Sequence, residues 1–509
     1  MVIGVGLFLS ITSFAQPAIT QPPTNQVLAV GGTLTLSVTV SGTSPVYQWF
    51  KDSRFLVNAT NSTLTVANAG VTNSGTYYVV VTNGGGLVIS LPASVMVGNP
   101  SLLGWGGNGY GQLGNGTTAS TNRPITVASN VVVGAVGNSH SLFVTMDGVL
   151  WGMGNNQYGQ LGNGTTISTN KPVSIASNVV VAAAGHIHSL FVKTNGTLWA
   201  MGYNGWGPLG NGNYTDTNLP VCVASNVVAV AAGGNHSLFL KTNGVLWAMG
   251  NNQAGQLGKS ITTSTNLPII VASNVVAVKS GALHSLFVKT DGTLWAMGDN
   301  VYGELGNGKL SNTQTNPISV ASNVVAAAAG GFGSFFVTTN GALWVMGQTF
   351  GSWPSNIANN VLAISGGVYY VLFTKPDGTL WAKGGNSSGQ LGIGTTTDTF
   401  TPTNVFYVKS VAHIFSAGGD TPAHSLAIGV MQIPVITNFT TVSSTNHQQL
   451  ALQLAGTPYF RYILQSATNL TLPIDWKPAL TNYADTNGNW SVTVSNLTGT
   501  NRFYRAASQ

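Results

Sequence analysis

Histidine is the residue whose type and spacing first suggest chemistry in this chain. Five histidines stand before a Ser-Leu pair at regular positions, and imidazoles in a ring could bind a metal ion: His140, His188, His236, His284 and His424. Two equivalent positions hold Gly333 and Tyr370 instead, which would interrupt such a ring. We predict that the histidines are structural, each bonded to backbone inside its own repeat. We expect no metal and no cofactor.

Acidic residues are too scarce to suggest a catalytic carboxylate pair, because the chain has one Glu and ten Asp. Most Asp residues in the repeats alternate with Asn in Asn/Asp-Gly turns, which makes them turn formers. Five acids remain in the repeat region: Asp216, Asp299, Glu304, Asp398 and Asp420. They do not pair in sequence, so we predict that the protein is not an enzyme. A carbohydrate-active enzyme using Asp299, Glu304 and Asp398 is an alternative.

The composition limits the partners. The chain has 509 residues with 17 basic and 11 acidic ones, and its net charge of +6 comes from single, scattered Lys and Arg. No basic stripe could neutralise a run of phosphates, so nucleic acid is not expected as a partner. Cys222 is the single cysteine, which excludes an internal disulfide. At ~150 residues per domain, the length predicts about three domains.

The N-terminus has the pattern of an export signal. An apolar run from Val2 to Phe14 precedes small residues, which predicts a signal peptide over residues 1–15 with cleavage before Gln16. No Lys or Arg precedes this run, so the true start codon stays open. No later apolar stretch is long enough for a transmembrane segment. A secreted chain without disulfides favours a bacterial protein, located outside the cell or at its surface.

A repeat dominates residues 100–430. Leu103 and six tryptophans mark seven units, the first five of them 48 residues apart: Trp151, Trp199, Trp247, Trp295, Trp344 and Trp381. Each unit has four strand-like runs, with Asn-Gly or Asp-Gly between the second and third, which is a strong hairpin signal. This pattern predicts a seven-bladed β-propeller. The first unit begins at its third strand, so the two ends of the region should complete one shared blade.

The repeat resembles a known family. The motifs L-W-x-M-G-x-N-x-x-G-Q-L-G-x-G and V-x-x-V-A-A-G-x-x-H-S-L are similar to the regulator-of-chromosome-condensation (RCC1-like) repeat. The resemblance implies a seven-bladed propeller closed by a shared blade. The family includes a nuclear guanine-nucleotide exchange factor and a secreted bacterial inhibitor of β-lactamases. A regulatory function, as an exchange factor or an enzyme inhibitor, is therefore a further alternative.

The flanking segments resemble β-sandwich modules. Residues 16–99 contain GGTLTLSVTVSG, Trp49 and NSGTYYVVVTN, and resemble an immunoglobulin-like domain. The resemblance makes Trp49 the core tryptophan and Tyr77 the tyrosine-corner residue, with Val38 and Val79 at the disulfide positions. We interpret this domain as a spacer or adhesion module. Residues 431–509 show alternating strands that predict a small β-sandwich accessory domain.

One position in the repeat suggests a binding surface. The residue before each G-x-L-G tag is aromatic in four units and small in two: Tyr110, Tyr158, Trp206, Tyr302, Ala254 and Ser388. The sixth unit has lost the tag and leaves Phe350 and Trp353 in a shortened loop. We predict that these aromatic residues line one rim of the propeller. Lys193, Lys241 and Lys289 lie beside the opposite hairpins, where we expect a solvated fringe.

These features predict an all-β protein with an immunoglobulin-like β-sandwich, a seven-bladed β-propeller and a small C-terminal β-sandwich. The predicted function is that of an exported bacterial protein, non-enzymatic and used for binding or adhesion. Its rim would recognise an unknown protein or a polysaccharide, and we expect it to be a monomer. The shortage of acids and bases favours this function over the enzymatic alternative.

Overall fold

The computed structural model describes residues 15–416 and 423–431, together with the backbone of six strands between residues 438 and 508. Asp420 and nearly all of the predicted signal segment lie outside these residues. The chain forms two compact units, Met1–Val430 and Met431–Gln509. Both consist of strands, which confirms the predicted all-β class. None of the described residues belongs to a helix of the length and hydrophobicity that a membrane span requires.

The immunoglobulin-like domain consists of ten short strands and one 3-10 helix, η1 (Val71–Asn73). The strands are β1 (Ala18–Gln21), β2 (Gln26–Leu28), β3 (Leu34–Ser37), β4 (Thr39–Ser41), β5 (Val46–Lys51), β6 (Arg54–Phe55), β7 (Thr63–Val66), β8 (Gly75–Asn83), β9 (Gly86–Ile89) and β10 (Ala93–Val97). The largest sheet has the order β2-β10-β8-β5-β6, with β9 paired to β8, and β3 pairs with β7.

The core of this domain has the predicted residues. Trp49 and Val79 are opposite each other in neighbouring strands and are fully buried, and Val38 is buried in the same cluster. An apolar pair therefore fills the space where a disulfide would stand. The Tyr77 hydroxyl donates a hydrogen bond to the Asn73 carbonyl at 2.7 Å, which is the geometry of a tyrosine corner.

The propeller has seven four-stranded antiparallel sheets, which we number as blades 1 to 7. Blade 2 consists of β13 (Val131–Val136), β14 (His140–Thr145), β15 (Leu150–Gly154) and β16 (Thr169–Ala176). Blade 3 consists of β17 (Val179–Ala184), β18 (His188–Lys193), β19 (Leu198–Gly202) and β20 (Thr217–Ala224). Blade 4 consists of β21 (Val227–Ala232), β22 (His236–Lys241), β23 (Leu246–Gly250) and β24 (Thr265–Ala272). Blade 5 consists of β25 (Val275–Ser280), β26 (His284–Lys289), β27 (Leu294–Asn300) and β28 (Ser311–Ala321). Blade 6 consists of β29 (Val324–Ala329), β30 (Gly333–Thr338), β31 (Leu343–Gly347) and β32 (Gly351–Ala358). Blade 7 consists of β33 (Ala363–Gly366), β34 (Tyr370–Thr374), β35 (Leu380–Gly384) and β36 (Thr399–Asn404).

Blade 1 closes the ring. Its inner strands β37 (Val408–Ser416) and β38 (His424–Met431) come from the end of the repeat region, and its outer strands β11 (Ser101–Gly106) and β12 (Thr121–Ser129) come from the beginning. Strands β11 and β38 pair antiparallel over six residues. The shared blade predicted from the phase of the repeat is thereby confirmed. Closure also leaves no unpaired edge between the chain ends of the propeller.

The antiparallel strands give the propeller two different faces. Loops between strands one and two, and between three and four, open on one side, which we call the loop face. The Asn/Asp-Gly turns between strands two and three open on the other side, which we call the hairpin face. Near the hairpin face, each repeat tryptophan stacks on a phenylalanine of the neighbouring strand, with ring centroids 6.1 to 6.4 Å apart: Trp151, Trp199, Trp247, Trp295, Trp344 and Trp381.

The lysines beside the hairpins are more than a solvated fringe. The ammonium groups of Lys193, Lys241 and Lys289 lie 4.7, 5.1 and 4.2 Å from the centroids of the adjacent tryptophan rings. Such cation–π contacts contribute about 0.5–1 kcal/mol each at exposed sites. Each lysine therefore covers an aromatic stack in addition to lying in the fringe that the sequence predicts.

The immunoglobulin-like domain packs on the hairpin face. Phe50 and Tyr78 share one buried cluster with blade residues such as Val276, and the Tyr78 hydroxyl donates to the Val276 carbonyl at 2.8 Å. The Ile89 amide donates to the Thr242 carbonyl at 2.6 Å, next to a blade hairpin. The domain is therefore docked on the propeller, which contradicts the interpretation as a spacer. The alternative of an adhesion module stays a prediction.

The C-terminal unit consists of two three-stranded antiparallel sheets. One has the order β39-β40-β43 and the other the order β42-β41-β44. Their strands are β39 (Asn438–Ser443), β40 (Gln449–Ala455), β41 (Arg461–Ala467), β42 (Lys477–Tyr483), β43 (Asn489–Ser495) and β44 (Phe503–Ser508). Two small antiparallel sheets agree with the predicted β-sandwich class.

Candidate ligand-binding face

A buried asparagine organises each tagged loop on the loop face. Its Oδ1 accepts a hydrogen bond from the amide of the Leu in the G-x-L-G tag at 2.8 to 3.1 Å, and its Nδ2 donates to loop carbonyls. The six asparagines are fully buried: Asn108, Asn156, Asn204, Asn252, Asn300 and Asn386. The repeat motif contains this Asn, but our sequence analysis gave it no role. The signal was its fixed spacing to the tag.

The residue that carries the predicted rim side chain is held by the tag itself. The backbone amides of Tyr110 and Tyr158 each donate to the side-chain oxygen of the Gln two residues later at 3.0 Å. In blade 5 the Tyr302 amide donates in the same way to Glu304 at 3.0 Å. The loop backbone is thus fixed on both sides of the aromatic residue. The ring needs little further ordering when it binds a ligand.

The rim tyrosines are partly exposed. Tyr110, Tyr158 and Tyr302 expose 42%, 40% and 41% of their surface, whereas Trp206 is half-buried and Ala254 is buried. The structure therefore places the four predicted aromatic residues on equivalent loops of one face. Three of them expose a large part of the ring to solvent. A single exposed tyrosine is common on a protein surface, but tyrosines exposed at equivalent positions in several blades indicate a binding surface.

Three aromatic residues missed by sequence reasoning extend this rim. Tyr203 packs edge-on against Tyr158 with centroids 5.3 Å apart. Phe332 packs against Tyr302 at 5.4 Å and against Tyr369 at 5.9 Å. All three stand in loops or strand ends of the loop face. Phe332 and Tyr369 occupy the same repeat position, directly before Gly333 and Tyr370, and Tyr203 occupies the position of Asn155. Our sequence analysis considered only the residue before the tag and therefore missed them.

The two aromatic residues in the shortened loop of blade 6 differ in their exposure. Trp353 is 67% exposed and lies on β32 against Gly308 of the neighbouring blade. Phe350 is half-buried, packing edge-on against Phe335 at 5.6 Å beneath the Lys383 ammonium. Trp353 thus offers a surface for binding, while Phe350 mainly fills the gap that the deletion leaves.

The histidines form a chain of contacts from blade to blade. Nε2 of each one lies 2.7 to 2.9 Å from a serine hydroxyl of the next blade: His140–Ser189, His188–Ser237, His236–Ser285, His284–Ser334 and His424–Ser141. The Ser189 hydroxyl donates to the Gln160 carbonyl, so Nε2 of His140 is the donor in its contact with Ser189. The structural role fits, but the predicted backbone partner was wrong.

Burial controls the charge of these histidines. Desolvation lowers the pKa of His140, His188, His236 and His424 to about 3, and that of His284 to about 4. In blade 7, Tyr370 takes the place of the histidine, and its hydroxyl lies 2.9 Å from the Ser425 hydroxyl. In the described part of the chain, no group of three or more His, Cys, Asp or Glu residues is placed to hold a metal ion.

The isolated acids of the propeller serve its loops. Asp216 and Asp398 each accept a hydrogen bond from the amide of a buried loop asparagine at 2.7 Å, at a position where other blades have Ser. Asp299 accepts from the Val301 amide at 3.2 Å. These three carboxylates are therefore occupied by backbone amides on separate loops.

Asp299 and Glu304 form an unusual pair within one loop. In blades 2 and 4 the equivalent residues are an Asn and a Gln whose side chains are hydrogen-bonded at 3.2 and 3.1 Å. Glu304 is 1% exposed, and burial followed by the charge of Asp299 raises its pKa to about 7. Burial also raises the pKa of Asp299. Two acids here replace a neutral amide pair.

We predict that Glu304→Gln stabilises the protein above neutral pH. In the unfolded chain Glu304 ionises above pH 4.5, whereas in the fold it stays protonated up to about pH 7. Between pH 4.5 and 7 the folded chain keeps a proton on Glu304 that the unfolded chain releases. The free energy of unfolding therefore falls as the pH rises through this range. Urea unfolding at pH 8 should give the variant a free energy of unfolding about 2 kcal/mol higher, with no difference at pH 4.

The control for this measurement is Asp291→Asn, which changes an exposed turn acid whose pKa is lowered by hydrogen bonds from Thr293. That variant should not become more stable at pH 8. Equal stability of Glu304→Gln and the unmodified chain at both pH values would contradict the assignment of a buried, protonated acid.

Comparison with known proteins agrees with this geometry. Residues 101–352 match the family model of the RCC1-like domain, and residues 377–428 match that of the regulator of chromosome condensation (RCC1) repeat. The chain belongs to the RCC1-like propeller family. Residues 16–83 of this RCC1-like protein also match the family model of the immunoglobulin domain. No curated protein is similar to the chain in sequence.

Solved RCC1-like structures show the same propeller fold. Human WBSCR16 is 22% identical, with 66% of this chain and 100% of that chain covered at a TM-score of 0.59. Yeast RCC1 (Prp20), solved bound to Kap60, is 22% identical, with 65% and 89% covered at a TM-score of 0.59. Prp20p of Saccharomyces cerevisiae, studied for its binding to Gsp1p and histones, is 21% identical, with 65% and 92% covered at 0.58. These structures share the propeller fold of this chain.

Proposed function

We propose that this protein is a non-enzymatic binding protein, exported by a bacterium, that holds a protein or a polysaccharide on its loop face. One observation carries the proposal: the immunoglobulin-like domain occupies the hairpin face, while aromatic side chains stand on the opposite face. The two faces of the ring therefore have different tasks. One joins the two domains, and we assign the other to a partner.

The build of the rim supports recognition. Tyrosine and tryptophan combine a large contact area with few rotatable bonds, and they dominate the energetics of many interfaces. Here the loops that carry them are fixed by buried asparagines and by the tag glutamines. The surface is thus already ordered before binding, which lowers the entropic cost of association.

The chemistry of the rim favours an uncharged or weakly charged partner. Among the tag positions, Glu304 alone is an acid, and its raised pKa keeps it largely protonated below pH 7. Aromatic rings and amide groups then supply the contacts. Export is part of the proposal, supported by the apolar N-terminal run and by a folded chain that has a single, exposed cysteine.

The test compares binding by the intact chain and by a rim variant that combines Tyr110→Ala, Tyr158→Ala, Trp206→Ala and Tyr302→Ala. Suspensions of cellulose, chitin and peptidoglycan, and immobilised envelope proteins of the host, are offered to both. We expect the rim variant to bind the captured material at least about 30-fold more weakly, since each hot-spot residue contributes about 2 kcal/mol.

The matched control removes exposed apolar side chains from the outer strands instead: Leu219→Ala, Leu267→Ala and Phe400→Ala. These residues are 58%, 57% and 85% exposed, so the variant should fold and bind like the intact chain. Unchanged binding by the rim variant, or equal loss in the control, would contradict the proposal.

A regulatory propeller is the second candidate, because the solved relatives of this family include a protein studied for binding to Gsp1p. In this chain the first five units keep a pitch of 48 residues, without the insertions that could form a separate regulatory surface. A guanine-nucleotide release assay distinguishes the two. Acceleration of release by the intact chain would replace the binding proposal with this one.

A further inference from the structure

The central channel of the propeller contains a cavity of about 440 Å³. The innermost strands of the blades form its wall, and residues of the immunoglobulin-like domain, Lys51–Arg54 and Thr76–Tyr78, close it at the hairpin face. Towards the loop face the cavity reaches Asn138 and His186. Most of the wall is Ala, Val and Gly, so the charged side chains in it stand out.

Cationic side chains outnumber acids in this cavity. Lys51, Arg54 and Lys279 line it together with one carboxylate, Asp52. Asp52 already has its partners, because it accepts from Lys51 Nζ at 2.6 Å and from the Thr76 amide and hydroxyl at 2.8 and 3.0 Å.

One histidine also faces the carboxylate. His413 Nδ1 lies 3.4 Å from Asp52, but burial lowers the pKa of His413 to about 4, so this imidazole is neutral at physiological pH. It therefore neither adds a positive charge nor offsets one. The charge of Asp52 is balanced by Lys51, and Lys279 and Arg54 remain without a counter-ion.

Lys279 is exceptional among the blades. Ala135, Ala183, Ala231 and Ala328 occupy the equivalent position in blades 2, 3, 4 and 6. Within the described residues the Lys279 ammonium makes no hydrogen bond and no ion pair. Burial lowers its pKa, and the charge of Asp52 offsets this only in part.

Arg54 has the same shortage of partners. One terminal nitrogen of its guanidinium donates to the Leu362 carbonyl. Its Nε is buried without a hydrogen-bond partner in the part of the chain that the structure describes. Two half-buried cationic groups with unused donors thus line one cavity. Buried charges without partners are costly, and an anion between them would remove much of that cost.

We propose that the capped channel is a binding site for a small oxyanion, a carboxylate or a phosphate, held by Lys279 and Arg54. The cavity volume lies within the usual range of about 300–1,000 Å³ for small-molecule sites. Since the immunoglobulin-like domain supplies Arg54 and the propeller supplies Lys279, both domains are needed to complete the site. This site is separate from the aromatic rim and does not depend on the function proposed for it.

The experiment measures thermal unfolding of the full chain with inorganic phosphate, with succinate, and with sodium chloride at matched ionic strength. Phosphate stabilises many proteins by exclusion from their surface, so variants must separate that effect from binding. Lys279→Ala introduces the alanine that four other blades have at this position. Lys279→Met keeps a long side chain but removes the charge. Lys171→Ala removes an exposed lysine as the control.

We expect phosphate or succinate to raise the melting temperature of the intact chain and of Lys171→Ala by several degrees more than sodium chloride does. In both Lys279 variants this extra rise should be absent, and in anion-free buffer these variants should melt above the intact chain, because an unpaired charge is gone. A response to phosphate alone or to succinate alone identifies the kind of oxyanion. An equal rise in the Lys279 variants, or no extra rise with either anion in the intact chain, would overturn the proposal.

Discussion

Lowering the pH from 7 to 5 should reduce the free energy of unfolding of the propeller by several kcal/mol. The histidines between the blades are the reason. Each is neutral and buried in the fold, with a pKa lowered by desolvation to about 3 or 4. In the unfolded chain the same side chains have a pKa near 6.5 and take up protons readily.

The sign of the effect follows from proton uptake. Above pH 6.5 the histidines are neutral in both states, so their contribution to stability is complete. Below pH 6.5 the unfolded state binds protons that the folded state cannot accept, and stability is lost as the pH falls towards 3. At pH 5 the loss is on the order of 2 kcal/mol for each histidine. Summed over the histidines, it is comparable with the whole 5–15 kcal/mol that stabilises a typical domain.

Urea unfolding at pH 7, 6, 5 and 4 measures this slope, and His188→Gln tests its origin. The amide can still donate to Ser237 but does not titrate. His413 of β37 also has a lowered pKa, which makes six such histidines, so the slope between pH 6.5 and 4 should become shallower by about one sixth. Leu190→Ala is the control, because it removes a fully buried side chain and lowers stability at every pH without changing the slope. A stability that does not change between pH 7 and 5 would contradict the account.

The repeat made the propeller predictable but concealed its contacts between blades. Spacing identified equivalent positions, and the phase of the first unit predicted the shared blade. It could not show that His140 contacts Ser189, which is 49 residues away and therefore one position beyond the repeat length. That contact depends on how far neighbouring blades are rotated, which the sequence of one unit does not contain.

The docking of the immunoglobulin-like domain had a signal in the sequence that we did not use. A strand with one buried face alternates apolar and polar residues, but β8 contains the uninterrupted run Tyr77–Val81. Tyr77 and Val79 face the core of the domain, while Tyr78 and Val80 face the propeller. Such a run indicates a strand that is covered on both faces, but it does not show which part of the protein covers the second face.

Separating the domains should have the second large effect. Phe50 and Tyr78 stack with centroids 5.0 Å apart and planes 3° from parallel, in a cluster shared with blade residues. The double variant Phe50→Ala, Tyr78→Ala removes both rings and the hydrogen bond to Val276. Because each truncation of a buried aromatic ring costs about 3–5 kcal/mol, the docking of the domain should be lost. Val57→Ala changes an exposed residue and serves as the control.

Hydrogen exchange followed by mass spectrometry tests the central claim, that the immunoglobulin-like domain is a fixed cap on the hairpin face. In the intact chain and in Val57→Ala, peptides from β8 should be protected as strongly as peptides from β25, because the two domains open together. In the double variant, β8 should exchange much faster while β25 keeps its protection. If β8 of the intact chain already exchanges far faster than β25, and the double variant leaves that difference unchanged, the cap does not exist.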